Sequence, residues 1–314
     1  VIATGGGKSL CYQIPALIRE GIGIVISPLI ALMKDQVDCL AESGIPAAFL
    51  NSTQDIRDRR SIEESIIDGS LRILYVSPER LVQPSFIEFL MSVQVSLFAI
   101  DEAHCISQWG HEFRPEYRQL SIIRKTFTDV PIIALTATAT PSVRSDIINE
   151  LSLRDPKVIV GSFNRENLLY RIEKKEDGEQ QLVRFLQSHQ NESGIVYCFS
   201  KRQVTDLAKL LQKNHFSALP YHADLPKTVR HETQDRFLRD EVRIIVATVA
   251  FGMGINKPDV RFVVHYDLPK NLEHYYQETG RAGRDGDPAE CLLLYSRADF
   301  RKIEYLIEQM ADGT

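Results

Sequence analysis

The sequence predicts an α/β protein of two lobes, each a mainly parallel sheet covered by helices, with a cleft between them. Apolar runs short enough to be buried strands alternate with segments of helical period, and the whole alternation occurs twice along the chain. A length of 314 residues is enough for two cores of ordinary size, and 44% hydrophobic with 25% charged residues is a globular composition.

In the first lobe, residues 23–27, 73–77, 97–101, 132–136 and 158–160 read as strands, and residues 32–42, 56–68 and 142–151 as helices. Thr140 and Pro141 supply the cap and first-turn proline of the last helix. The second lobe is entered through residues 168–172 and continues with strands at 195–199, 218–221, 244–247, 262–265 and 291–295. Its helical patterns lie at 202–213, 228–238 and 272–279. The polar segment 161–166 is the joint, so the domains are expected at 1–162 and 163–314. No short-period repeat or low-complexity tract interrupts them.

A formal net charge of -5 argues against a protein that coats nucleic acid by bulk attraction, but 37 Lys and Arg leave room for a local basic groove. No apolar run is long enough for a membrane span, and the first residues lack the basic and apolar regions of a signal peptide. The expected location is therefore cytoplasmic. Cys11, Cys39, Cys105, Cys198 and Cys291 are odd in number, widely spaced and set beside apolar residues, which reads as free thiols without zinc spacing.

Thr4, Gly5, Gly6, Gly7, Lys8 and Ser9 stand between a short apolar remnant and a helical run. Glycines let such a backbone point its N–H groups at phosphate oxygens, the helix amino end adds positive potential, Lys8 reaches the outer phosphates, and the Ser9 hydroxyl suits magnesium. Ile2 occupies the position where the full P-loop pattern has a small residue, so the match is to the GK[ST] core and its glycines. The run 96–100 then delivers Asp101 and Glu102 at a strand carboxyl end, where an open parallel sheet binds its ligands. Asp101 is assigned to the metal and Glu102 to the attacking water. From the second lobe, Arg281 and Arg284 lie three apart in a turn and can neutralise charge on a transferring phosphate.

Trp109, His111, Phe113 and Arg114 crowd rings and a cation into the segment after the carboxylates. Trp109 is the chain's only tryptophan, and a surface on which bases stack accounts for it better than local packing. Residues 27–29, 77–80 and 136–138 end strands of the first lobe, and their hydroxyls, backbone N–H groups and Arg80 can grip successive phosphates; helix capping is the alternative for Ser77 and its neighbours. Residues 197–202 and 248–254 do the same from the second lobe.

The segments TGGGKS, SPLIALMKDQV, SPERL, DEAHCISQWGHEFRPEY, ALTATAT, YCFSKRQ, YHADL, ATVAFGMGINKPDVRFVVHYDLP and QETGRAGRDG occur in the order of superfamily 2 helicases. The extended DEAH segment and the stretch 247–286 resemble the RecQ family of DNA helicases, over nearly the whole chain. The resemblance implies two RecA-like lobes with the ATP cleft between them, and ATP-driven 3′ to 5′ unwinding of DNA in recombination and repair. It implies ATP and Mg2+ as cofactors, with Lys8, Ser9, Asp101 and Glu102 binding and hydrolysing MgATP, Arg284 the arginine finger, and Arg281 and Gln277 beside it. The loop from Trp109 to Arg114 would couple DNA binding to hydrolysis, and His104, Thr136 and Thr138 would pass the signal.

The implied partners are single-stranded and forked duplex DNA, no membrane, and a single-stranded-DNA-binding protein through regions beyond this chain, which is expected to be a monomer. Set against the family, the chain is expected to start inside its first strand, without the upstream segment that contacts adenine. It is also expected to stop ahead of the cysteine-bearing zinc subdomain and the winged-helix domain, so zinc is not expected in it. Two alternatives remain at this point: an RNA helicase of the same superfamily, and a DNA-stimulated ATPase fragment that unwinds poorly.

Overall fold

The computed structural model describes residues 1–51, 54–108, 113–252, 257–301 and 304. They fall into two compact units, Val1–Phe163 and Asn164–Thr314.

In the first unit, β1 (Ile22–Ile26), β2 (Ala47–Leu50), β3 (Ile73–Val76), β4 (Val95–Ile100) and β5 (Ile132–Ala134) form a parallel sheet in the order β2-β3-β1-β4-β5. Strands covered on both faces read as unbroken apolar runs, and β1 and β3 are buried throughout. Alternate side chains fill separate cores. Ile22, Ile24 and Ile26 meet Leu74, Val76, Phe98 and Ile100 on one face, while Val25 meets Tyr12, Tyr75, Leu97 and Ala99 on the other. The helix Leu10–Ile18 ends beneath Arg72, which donates to the carbonyls of Leu17 at 3.0 Å and Arg19 at 2.7 Å. The acceptors that a helix leaves open at its carboxyl end are thereby met by a cation.

The second unit is a six-stranded parallel sheet of β6 (Leu168–Lys174), β7 (Ser193–Tyr197), β8 (Ala218–Tyr221), β9 (Ile244–Ala247), β10 (Val260–His265) and β11 (Ala289–Tyr295), in the order β6-β11-β10-β7-β9-β8. Its helices include Gly178–Gln187, Lys201–Lys213, Lys227–Leu238 and Leu272–Thr279. No helix among the described residues is long and apolar enough to cross a membrane.

The helices Pro78–Leu81, Pro84–Met91, Pro115–Arg118 and Ser121–Thr126 lie outside the sequence reading, and three further elements differ from it. Residues 158–160 are not a strand: the Val1 amino group donates to the Ile159 carbonyl and the Gly161 amide to the Val1 carbonyl, and one residue's worth of bonding does not propagate a ladder. Their side chains are exposed accordingly. β2 was not expected, because its two alanines and the preceding Pro46 carry little strand preference. The helix Gly178–Gln187 was also unforeseen; its glycine start hides the signal, yet Asp177 caps it by accepting from the Gln180 amide at 3.1 Å, and Leu182, Phe185 and Leu186 form its buried stripe.

Candidate nucleotide and nucleic-acid site

Every strand of the first sheet runs the same way, so the residues that follow β1, β3, β4 and β5 emerge at one edge. The Ile2 amide donates to the Thr136 carbonyl at 3.1 Å, which brings the glycine turn to that edge. Gly5 and Gly7 hold φ of 78° and 76°, a region open to glycine at no steric cost. Lys8 curls over the turn, donating to the carbonyls of Ile2 at 3.3 Å and Ala3 at 3.4 Å. Ser9 takes the N-cap position of the helix Leu10–Ile18, but its hydroxyl makes no capping bond.

Asp101 follows β4 directly. Its amide donates to the Ile26 carbonyl at 2.9 Å, its carboxylate accepts from the Glu102 amide at 3.0 Å, and its carbonyl accepts from the buried Tyr117 hydroxyl at 2.9 Å. Burial, and then the charge of Glu102, raise the Asp101 pKa to about 7, against the opposing pull of Lys8 and His104. Glu102 adopts φ 47° and ψ 44°, a left-handed conformation that costs a residue with a side chain about 1–3 kcal/mol. An oxygen donor set of Asp101 and Ser9 beside a lysine fits a hydrated magnesium ion bound with a phosphate.

A buried relay leads from Glu102 to the end of β5. Thr136 has one hydroxyl proton, and it goes to the Thr138 carbonyl at 3.0 Å, so His104 Nδ1, 2.9 Å from the same hydroxyl, must be the donor. That N–H also faces Glu102 Oε2 at 3.3 Å, and the Thr138 amide closes the turn onto Thr136 Oγ1 at 3.2 Å. His104 is thus fixed as the Nδ1–H tautomer by its neighbours.

Trp109 and His111 lie outside the described residues. Phe113 has the Arg118 guanidinium 5.2 Å from its ring centre. Arg114 donates to the Pro28 carbonyl at 3.2 Å and its amide to the Cys105 carbonyl at 2.9 Å, tying the far end of the aromatic segment to the residues after β1. Ser77 and Arg80 do not present as open phosphate grips. The Ser77 hydroxyl accepts from the Arg80 amide at 3.3 Å and caps the helix Pro78–Leu81. The Arg80 side chain is buried against the Phe86 ring, pairs with Glu63 at 3.5 Å and donates to Gln83.

In the second unit, Gln277 lies on the helix Leu272–Thr279, and Arg281 and Arg284 sit in the turn that follows. Two residues ahead of β6, which sequence reasoning did not single out, hold that turn. Arg165 donates to the carbonyls of Gly280 at 3.3 Å and Gly283, and Asn167 donates to those of Gly283 at 2.9 Å and Asp287 at 2.8 Å. Burial, followed by the charge of Arg281, lowers the Arg284 pKa to about 10, with Arg165 acting in the same sense. Arg284 stays charged at neutral pH, in a cluster of guanidinium groups suited to a polyanion. Upstream on the same helix, Glu278 is buried and pairs with His265 Nε2 at 2.7 Å. Arg165 and Asn167 occur in FNREN, a polar knot at the joint, which was their only trace in the sequence.

Two family models match this chain: DEAD/DEAH box helicase over residues 1–147 and helicase conserved C-terminal domain over residues 177–286. The helicase Lhr of Mycobacterium smegmatis, solved with single-stranded DNA and AMP-PNP, shares the fold with a TM-score of 0.73 at 21% identity, over 100% of this chain and 46% of that one. These features define a helicase core of two RecA-like domains. The ATP-dependent DNA helicase RecQ of Pasteurella multocida is 52% identical over 307 residues, 98% of this chain and 49% of that protein, and RecQ of Bacillus subtilis is 48% identical over 310 residues, 98% and 52%. The chain belongs to the RecQ family and spans about half the length of the curated relatives it matches.

Proposed function

We propose that this chain is the ATP-hydrolysing core of a DNA helicase, coupling MgATP hydrolysis to 3′ to 5′ movement on single-stranded DNA and to duplex unwinding in recombination and repair. The observation that carries this reading is the meeting of Lys8, Asp101 and Glu102 at one sheet edge, with a histidine relay running from Glu102 to the residues after β5. Residues 4–9 bind the phosphates through backbone N–H groups, with Lys8 on the outer ones. Ser9 and Asp101 would hold magnesium, whose charge offsets that of the phosphates. Glu102 orients the attacking water and accepts its proton. Arg284, with Arg281 and Gln277 beside it, neutralises charge that builds on the outer phosphate during transfer.

Trp109 and Phe113 stack bases of a single strand, for roughly 1–3 kcal/mol each and without regard to sequence. Arg114, tied to Pro28, links that segment to the residues after β1. His104, Thr136 and Thr138 carry the state of Glu102 toward the strand-binding edge. Ser77, Thr136 and Thr138 then act through backbone N–H groups and turn geometry more than through free hydroxyls. The chain works as a monomer in the cytoplasm, associated with the nucleoid if its cell is bacterial.

ATP turnover by the purified chain is the test, with no polymer, single-stranded DNA, duplex DNA and RNA in parallel. Stimulation by single-stranded DNA above the others is expected, and Trp109→Ala should lose most of it. Equal or greater stimulation by RNA would favour an RNA helicase, and no turnover with any polymer would end the enzymatic reading.

A further inference from the structure

Tyr197 is the last residue of β7, buried, and its hydroxyl meets two segments that serve different ligands in the reading above. It donates a hydrogen bond to the Phe251 carbonyl at 2.8 Å, and the Arg281 charge acts on it from nearby. The direction is forced: a carbonyl has no donor, so the single hydroxyl proton points at Phe251. The ring cannot swing independently of the helix Leu272–Thr279. It stacks on His265 at 5.4 Å and 26°, and His265 is bonded to Glu278, three residues before Arg281.

A second observation is independent of that bond. A Cβ built on Gly252 would stand 3.1 Å from Arg281 Nη2 and 3.0 Å from the Val249 carbonyl, so the backbone of this turn lies against the guanidinium and a side chain there would press on both. The turn is anchored at one end and open at the other. Phe251 is buried among Tyr221 and Phe237, with ring centres 4.7 and 5.8 Å away, and its amide donates to the Thr248 carbonyl at 3.0 Å. Val249 and Ala250 face solvent.

We propose that Tyr197 is a positioning residue that ties Arg281 to residues 248–252, so that a nucleic-acid strand on that turn sets the placement of the arginine, and nucleotide on the arginine sets the turn. This rests on the reading in which Arg281 and Arg284 serve the nucleotide and residues 248–254 meet the strand. Tyr197 holds the Phe251 carbonyl and with it the Gly252 backbone that lies against the guanidinium, so displacement of the exposed residues moves the surroundings of Arg281. By linkage the effect is reciprocal, and it is read as the ratio of single-stranded DNA dissociation constants without nucleotide and with AMP-PNP and magnesium.

Tyr197→Phe removes one hydroxyl and keeps the stacked ring. In the unaltered chain the ratio should depart from one by roughly 5- to 150-fold, the usual range of such coupling. In Tyr197→Phe, and separately in Gly252→Ala, it should fall to within about twofold of one. A purely structural role would shift both dissociation constants by the same factor and leave the ratio intact; that result, or a ratio of one in the unaltered chain, overturns the proposal. Gly252→Ala decides the matter if Tyr197→Phe does not fold. ATP turnover by Arg284→Ala is measured alongside: turnover near that of the unaltered chain sinks the arginine reading itself, whatever the ratios do.

Discussion

The first unit gathers acids at its sheet edge and the second gathers guanidinium groups, and each cluster carries the signature of like charges held together. Asp101 titrates near 7 because it is buried beside Glu102, and Arg284 is lowered to about 10 because it is buried beside Arg281 and near Arg165. The two differ in internal relief. Lys8 opposes the shift at Asp101, whereas the second cluster has the Tyr197 hydroxyl, its nearest carboxylate on the helix, Glu278, being bonded to His265. A divalent cation suits a cluster of acids, and a polyphosphate suits a cluster of guanidinium groups.

The largest expected effects fall on the charged anchor of each cluster. Lys8→Ala and Arg284→Ala are each expected to lower DNA-stimulated ATP turnover by about 10³-fold or more, an effect of the size seen when an arginine finger is removed. If only one of them does so, the two clusters do not serve one ligand. Glu102→Gln removes the base while keeping the size of the side chain, and should lower turnover by about 10²- to 10⁴-fold. Equilibrium ATP binding should persist in it, and a loss of binding instead would reassign Glu102 to the metal.

A smaller effect distinguishes the acids from the arginines by pH. Asp101 in the folded chain binds its proton up to about 7, while an unfolded aspartate releases it near 4. Between those values the folded state holds the extra proton, so the Asp101 contribution to stability is present at the acid end and is lost as pH rises through 7. Denaturant unfolding without magnesium should show that decline, and Asp101→Asn should flatten it; magnesium affinity should rise over the same interval. Arg284 should add no slope there, since it stays protonated throughout. The smallest expected change is Ser77→Ala, which removes a helix cap worth about 0.5–2 kcal/mol. Loss of that stability with DNA affinity intact would assign the hydroxyl to the fold alone.

Where the sequence was readable, local chemistry and side-chain period were in agreement. β8, β9 and the helix Leu272–Thr279 occur at the residues their patterns indicated, and the glycine turn followed by Lys8 and Ser9 enters its helix as its composition requires. The reading faltered where a long-range partner decides. Residues 158–160 are as apolar as a strand, yet their backbone bonds go to Val1 alone. Arg80 resembles a free cation in SPERL and is instead packed on Phe86 against Glu63, a fact set by a helix seventeen residues away. Arg165 and Asn167 bear no motif, and nothing in DEAHCISQWGHEFRPEY or YCFSKRQ marks what Tyr117 and Tyr197 hold, because all four hold backbone carbonyls whose positions exist only after folding.

By itself the sequence determined the two alternations of strand and helix, the glycine turn ahead of Lys8 and Ser9, and the family to which the chain belongs, since these depend on residue type and short spacing. Tertiary structure alone decided that Glu102 turns left-handed toward His104, that His104 carries its proton on Nδ1, that Ser77 and Arg80 face inward, and that one tyrosine hydroxyl holds the Phe251 carbonyl of the turn that meets Arg281. Hydrogen-bond direction and burial depend on which distant groups arrive beside a side chain, and no window of sequence contains both partners.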